Sequence, residues 1–149
     1  TETIHALYSA SKAGVEIKLV VRGICCLRPG RVGLSENITV KSIVGEYLEH
    51  SRIFYFHNNG DSQVYSGSAD VMVRSFDRRL ESLFLIKDHL LKQQAINILC
   101  FNMKDNVNSY EMKEDGTFVE LTPNGDPAFN IHTEFYKVKR DTVLAAKLF

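Results

Sequence analysis

The chain contains no tryptophan, three prolines and three cysteines in 149 residues, and its eighteen basic side chains equal its eighteen acidic ones. Each shortage excludes something. Three is an odd cysteine count, and Cys25 and Cys26 are adjacent, a spacing that bridges poorly. A disulfide framework is therefore excluded, and the pattern suits a reducing, cytoplasmic setting. No run of 18 apolar residues occurs, so nothing reads as a membrane span, although membrane association stays open. Net neutrality gives no electrostatic reason to expect a polyanion such as nucleic acid. Zinc spacing, a Walker loop, G-x-S-x-G, a Rossmann fingerprint and H-E-x-x-H are all missing. The chain opens on Thr1 without a signal-like segment, which suggests a piece of a longer polypeptide.

What is present is an ordinary globular composition, 44% hydrophobic and 24% charged, at the usual length of one domain. With no repeat, low-complexity tract or interior linker, residues 1–149 read as a single domain with a real core. The arginines are unevenly placed. They stand at 22, 28, 31, 52, 74, 78, 79 and 140, so seven of eight precede residue 80. An arginine fork suits phosphate oxygens better than a lysine point charge does, so a neutral chain can still carry one strongly positive region.

Periodicity predicts a helix over residues 1–14, closed by Gly14, and a strand over 15–22. A loop rich in glycine follows at 23–37. Val40, Ile43, Val44, Tyr47 and Leu48 then recur at helical spacing, predicting a second helix over 37–49 capped by Ser35 or Asn37. Two strands, 52–58 and 62–68, flank "NNGD", a hairpin signal. A strand over 78–86, a helix over 88–102, an exposed hairpin over 108–122 and a last helix from about 133 towards 149 complete the order. That order predicts an α/β domain with a mixed sheet flanked by helices.

Three places can carry chemistry. Arg22 ends a strand where a loop with Arg28 and Arg31 begins, and ligands collect at strand ends in open α/β sheets. The helix expected next would add an N-terminus that favours anions. A solvated surface loop is the plain alternative. His50 is expected at the C-terminal end of that helix, which favours imidazolium, whereas nearby arginines favour neutral imidazole. A group so balanced can exchange a proton during phosphoryl transfer, or it can simply cap the helix. "GSAD" and "RSFDRRLE" place Asp70, Asp77 and Glu81 among Arg74, Arg78 and Arg79. Carboxylates there can hold guanidiniums at set angles for an anion, or form surface ion pairs of roughly 0–1 kcal/mol each. His57 reads as structural. His5, His89 and His132 read as surface or packing residues.

At these residues the chain becomes recognisable. "VVRGICCLRPG", "GLSENI", "SIVGEYLEHSRIFYFHNNGD" and "GSADVMVRSFDRRLE" resemble the C-terminal domain of bacterial polyphosphate kinase over about residues 1–123. The resemblance implies a phospholipase D-like half-fold and an enzyme that reversibly moves the ATP γ-phosphate onto inorganic polyphosphate. It implies a phosphohistidine in a preceding domain of the same polypeptide, magnesium held by ligands outside this chain, and a homo-oligomer. It matches His50 to a second active-site histidine and Arg22 and Arg79 to arginines lining the ATP phosphates. Arg52, Asp70, Arg74, Asp77 and Glu81 fall in the same block. The isolated chain is then expected to be inactive as a kinase. Val71 and Ser75 stand where family members commonly have Trp and Asn, and the lost ring is expected to loosen packing there. A phospholipase D-like phosphodiesterase half is an alternative, met only in part: Arg52 replaces the Lys of H-x-K-x4-D and His57 its Asp. A non-catalytic polyanion-binding module is another.

Overall fold

A computed structural model describes residues 2–72, 75 and 78–137. In chain order its elements are α1 (Glu2–Lys12), β1 (Ile17–Val20), β2 (Ile38–Ile43), β3 (Ile53–Phe56), β4 (Gln63–Gly67), β5 (Leu83–Leu85), α2 (His89–Lys104), β6 (Ser109–Met112), β7 (Phe118–Glu120) and α3 (Ile131–Glu134). Single 3-10 turns lie at Asn58–Gly60 and Phe135–Lys137. Two compact units result, one built from Thr1–Leu48 and Asn102–Lys137, the other around Glu49–Phe101.

The first unit is a four-stranded mixed sheet in the order β1-β2-β6-β7. Strands β1 and β2 are parallel, and the other neighbours are antiparallel. Leu27, Ile38, Val40 and Met112 are buried at its centre, with Ile4, Leu7, Tyr8, Ile17 and Leu19 packed against them. Burying a side chain of this size is worth roughly 1.5–3 kcal/mol, so this cluster fixes α1 against the sheet. Helix α1 ends where expected, with Gly14 at φ 88°.

The second unit is an antiparallel sheet in the order β3-β4-β5. Phe56 pairs with Gln63, so the "NNGD" connection spans six residues rather than a two-residue turn. Asn58, Asn59 and Gly60 all have positive φ (46°, 51° and 94°), a backbone that asparagine and glycine tolerate best.

The α/β class with a mixed sheet is as expected, except that the strands divide between two sheets. One element is of the wrong kind: residues 38–43 form β2, not a helix. Five of the seven residues from Ile38 to Val44 are β-branched, and their pairing with both β1 and β6 outweighs the accidental 3.6-residue spacing. Residues 44–52 are neither helix nor strand. The expected strand over 78–86 shrinks to Leu83–Leu85, with Arg78 in helical backbone. The last helix begins at Ile131 and gives way at Phe135 to a 3-10 turn; its continuation over 138–149 lies outside the described residues. Among the described residues no helix is long and apolar enough to cross a membrane.

Candidate functional site

In the first unit, parallel strands β1 and β2 both end at the same edge, and Arg22 follows β1 by two residues. The Arg22 side chain is exposed and lines a concavity of about 240 Å³. The opposite wall is residues 42–48, where β2 leaves the sheet. An arginine side chain and two strand ends thus share the edge at which ligands collect in open α/β sheets.

His132 shapes that wall. Its Nδ1 accepts the Glu46 backbone N–H at 3.1 Å, and its ring meets Tyr47 edge-on with centroids 5.5 Å apart. A methyl group on Gly45 would come within 2.2 Å of the His132 ring, so glycine is what allows the approach. Asn130 holds the histidine in turn, its side-chain oxygen accepting the His132 N–H at 2.9 Å.

Arg28 and Arg31, the other arginines of the loop after β1, face a different task. The Arg31 Nε–H donates to the Glu114 carbonyl (3.4 Å). The Arg28 guanidinium lies so close to Gly116 that a Cβ there would sit 2.5 Å from Arg28 Cζ. Both arginines support the β6–β7 turn. Its Asp115 carboxyl is held below the usual carboxylate range, chiefly by the Thr117 amide and hydroxyl, with a smaller contribution from Arg28. The expected helix N-terminus after this loop is absent, because β2 stands there, and that part of the anion argument falls.

In the second unit, His50 is exposed and lies in the irregular segment before β3. No helix ends at it, so neither a helix dipole nor helix capping explains its placement. What does is Arg52. Its Nε–H and one Nη2–H donate to Asp70 Oδ1 at 3.1 and 2.9 Å, and its Nη1–H donates to the His50 carbonyl at 2.6 Å. Side chains of both partners are about a quarter exposed, at 26% and 30%. Glu49 Oε1 accepts the Ser51 N–H at 2.7 Å. Burial pushes the Glu49 carboxyl up, but the Ser51 amide and hydroxyl, the His50 amide and the His50 charge together hold it below its usual value.

Glu81 is engaged locally: the Ser68 hydroxyl donates to its Oε2 at 2.5 Å, and the Ser82 N–H donates to Ser68 Oγ at 3.1 Å. Arg78 and Arg79 are exposed, and neither forms an ion pair with another described residue. Arg74 and Asp77 lie outside the described residues. Val71 is 53% exposed, so the ring expected at that position leaves no hole in a core. Ser75, by contrast, is 2% exposed.

The structure thus brings His50, Arg52 and Asp70 together, and sets Glu81 with the two serines. Arg22 belongs to the other unit. Glu49 and Ser68 are not among the candidates expected from sequence, although "LEHSR" holds a carboxylate, a hydroxyl and an arginine around one histidine, whereas His132 packs as expected. A larger hollow in the second unit, about 500 Å³ and mostly apolar, contains none of the arginines. Among the described residues no three of His, Cys, Asp and Glu gather to hold a metal ion.

Comparison with known proteins shows the family. Residues 1–131 match the model of the family described as polyphosphate kinase C-terminal domain 2. A polyphosphate kinase of Synechocystis is 52% identical over 123 residues, which are 83% of this chain and 17% of that protein. Polyphosphate kinase 1 of Chlorobaculum tepidum is 50% identical over 135 residues, 91% of this chain and 19% of that one. The crystal structure of polyphosphate kinase from Porphyromonas gingivalis superposes with a TM-score of 0.88 at 37% identity, covering 92% of this chain and 21% of that one. The chain spans about a fifth of the length of these relatives. It belongs to the polyphosphate kinase C-terminal domain family.

Proposed function

We propose that this chain is the part of an ATP:polyphosphate phosphotransferase that receives phosphate groups and handles a proton. Transfer passes through a phosphohistidine carried by a preceding domain of the same polypeptide. In-line phosphoryl transfer asks of a protein mainly positioning and neutralisation of charge. Arg22 supplies the fork for the nucleotide phosphates, and Arg79 supplies a second. The His50 imidazole gives a proton to the departing group or takes one from the entering group. Magnesium, when carried in on the phosphates, would neutralise further charge; the chain's own contribution is its guanidiniums and the imidazole.

The observation that carries the reading is Arg22, exposed in a concavity at the carboxyl ends of parallel strands, in a chain of this family. The test is steady-state kinetics of the full-length polypeptide. Arg22→Ala and Arg79→Ala should each raise KM for ATP roughly tenfold or more, the cost of a lost charge-assisted hydrogen bond. His50→Ala should lower kcat instead. Normal KM values in both arginine variants would refute the assignment, and so would polyphosphate synthesis by residues 1–149 alone.

A further inference from the structure

We propose that Arg52 and Asp70 form a clamp that positions His50 for proton transfer. The inference rests on His50 having the role proposed above.

A guanidinium has five N–H groups in a rigid plane. Three point inward here: two to Asp70 Oδ1 and one to the His50 carbonyl. The two N–H groups left over are one on each Nη, but the three inward bonds fix the plane of the guanidinium and tie it to the main chain at His50.

The clamp also lies where positional control is otherwise weak. Arg52 directly precedes β3, and its carbonyl accepts the Gly67 N–H at 3.3 Å, so its backbone is tied to the end of β4. Asp70 lies three residues past that end. The guanidinium therefore joins the segment entering β3 to the segment leaving β4, and reaches back to His50 across an irregular backbone. Without it, residues 48–51 lack the ladder hydrogen bonds that fix a strand. The neighbouring turn closes from the other side, with the Ser51 N–H donating to Glu49 Oε1. An imidazole that must meet a reacting oxygen cannot drift: an error near 1 Å is enough for losses on the order of 10²-fold.

The experiment is kinetic and uses the full-length polypeptide with ATP and polyphosphate varied separately. Arg52→Ala and Asp70→Asn should lower kcat by the same factor, on the order of 10²-fold, with both KM values unchanged within about twofold. Combining the two should cost no more than either alone, because each removes the same clamp. On a His50→Ala background, Arg52→Ala should cost nothing further. Methylguanidinium should restore turnover to Arg52→Ala and not to His50→Ala. Arg52→Lys, which keeps the charge and disturbs folding least, should stay impaired, since an ammonium cannot span both acceptors.

Two results overturn the clamp. One is a raised KM in Arg52→Ala and normal kinetics in Arg52→Lys and Asp70→Asn, which would make Arg52 a phosphate ligand. The other is an additive loss on the His50→Ala background, which would mean that Arg52 acts elsewhere. A His50→Ala enzyme with unchanged kcat is a separate failure, because it removes the underlying reading of His50 as well.

Discussion

Lys41 and Asp105 meet inside the first unit, where the Lys41 ammonium donates to the main-chain carbonyl of Asp105 as well as to that of Met103 at 2.9 Å. Both residues are buried, at 4% and 1% exposure. The Asp105 carboxylate faces away into amides. Oδ1 accepts from the Val107 and Asn108 N–H groups and the Ser109 hydroxyl, and Oδ2 accepts from the Ile131 N–H. One aspartate therefore ties the end of α2, the start of β6 and the start of α3 to a lysine in the middle of β2.

Removing that carboxylate leaves three main-chain N–H groups and the Ser109 hydroxyl without their acceptor, and takes away a negative charge that favours the Lys41 ammonium. Asp105→Ala should cost about 3 kcal/mol or more, since each buried group left without a partner costs roughly 1–3 kcal/mol. Asp105 also makes stability depend on pH. Burial pushes its carboxyl up, but the hydrogen bonds from Ile131, Ser109, Asn108 and Val107 outweigh it, so the folded group ionises below its ordinary 3.8. A depressed carboxylate contributes stability that is complete above 3.8 and lost as pH falls through the folded value. Lys41 adds a slope at the other end. Burial lowers its ionisation from 10.5 despite the attraction of Asp105 and Glu111, so keeping it charged costs stability, and the cost is relieved as pH rises towards 10.5. Urea unfolding across pH 2–5 would check the acid limb. In Asp105→Asn that limb should flatten; an unaltered slope would show that other carboxylates set it.

Sequence carried the fold where chemistry and spacing agree. "NNGD" lies at a chain reversal because asparagine and glycine accept positive φ, and Gly14 stops α1 for the same reason. Residues 38–43 were illegible because the apolar spacing fits a helix while the choice between helix and strand was settled by partners far along the chain, notably β6. The buried Lys41 hid the alternation that marks a strand, and nothing local announces that its partner lies 64 residues away. Residue type makes Arg22, His50, Arg52 and Asp70 candidates, and of these Arg52 is joined to Asp70 and to the His50 carbonyl. Which arginines hold protein oxygens was not legible. Arg28 and Arg31 support a turn and Arg52 holds a carbonyl, assignments that depend on long-range geometry.

Gly67 is fixed by its neighbour rather than by its dihedral angles. It pairs with Leu83 on β5, and a Cβ there would lie 2.0 Å from the Ser82 carbonyl oxygen, a main-chain atom that cannot swing aside. Gly67→Ala should push β4 and β5 apart and cost roughly 1–3 kcal/mol, as overpacking does. Because Ser68 and Asp70 follow directly, the hydrogen bonds of Ser68 with Glu81 and Ser82 should loosen with it. Thermal melting gives the stability cost, and faster amide exchange at Ser68 and Ser82 would locate the damage. Unchanged exchange would mean that the strain is relieved elsewhere.

Ser75 presents the opposite case, a residue whose replacement should help. Its hydroxyl is buried at 2% exposure and has no hydrogen-bond partner among the described residues, although its backbone N–H donates to the Met72 carbonyl at 3.0 Å. A buried polar group without a partner costs roughly 1–3 kcal/mol, and alanine removes the hydroxyl while leaving almost the same volume. Ser75→Ala should therefore raise the melting temperature, with no loss of activity in the full-length polypeptide. Asparagine, the residue that the sequence resemblance leads one to expect here, would have to fit a larger amide into a space that now holds a hydroxyl. If Ser75→Asn raises kcat while Ser75→Ala leaves it alone, an amide at this position reaches a group that the serine does not. If Ser75→Ala lowers the melting temperature instead, the hydroxyl is satisfied in solution and the account of it as an unpaired group is wrong.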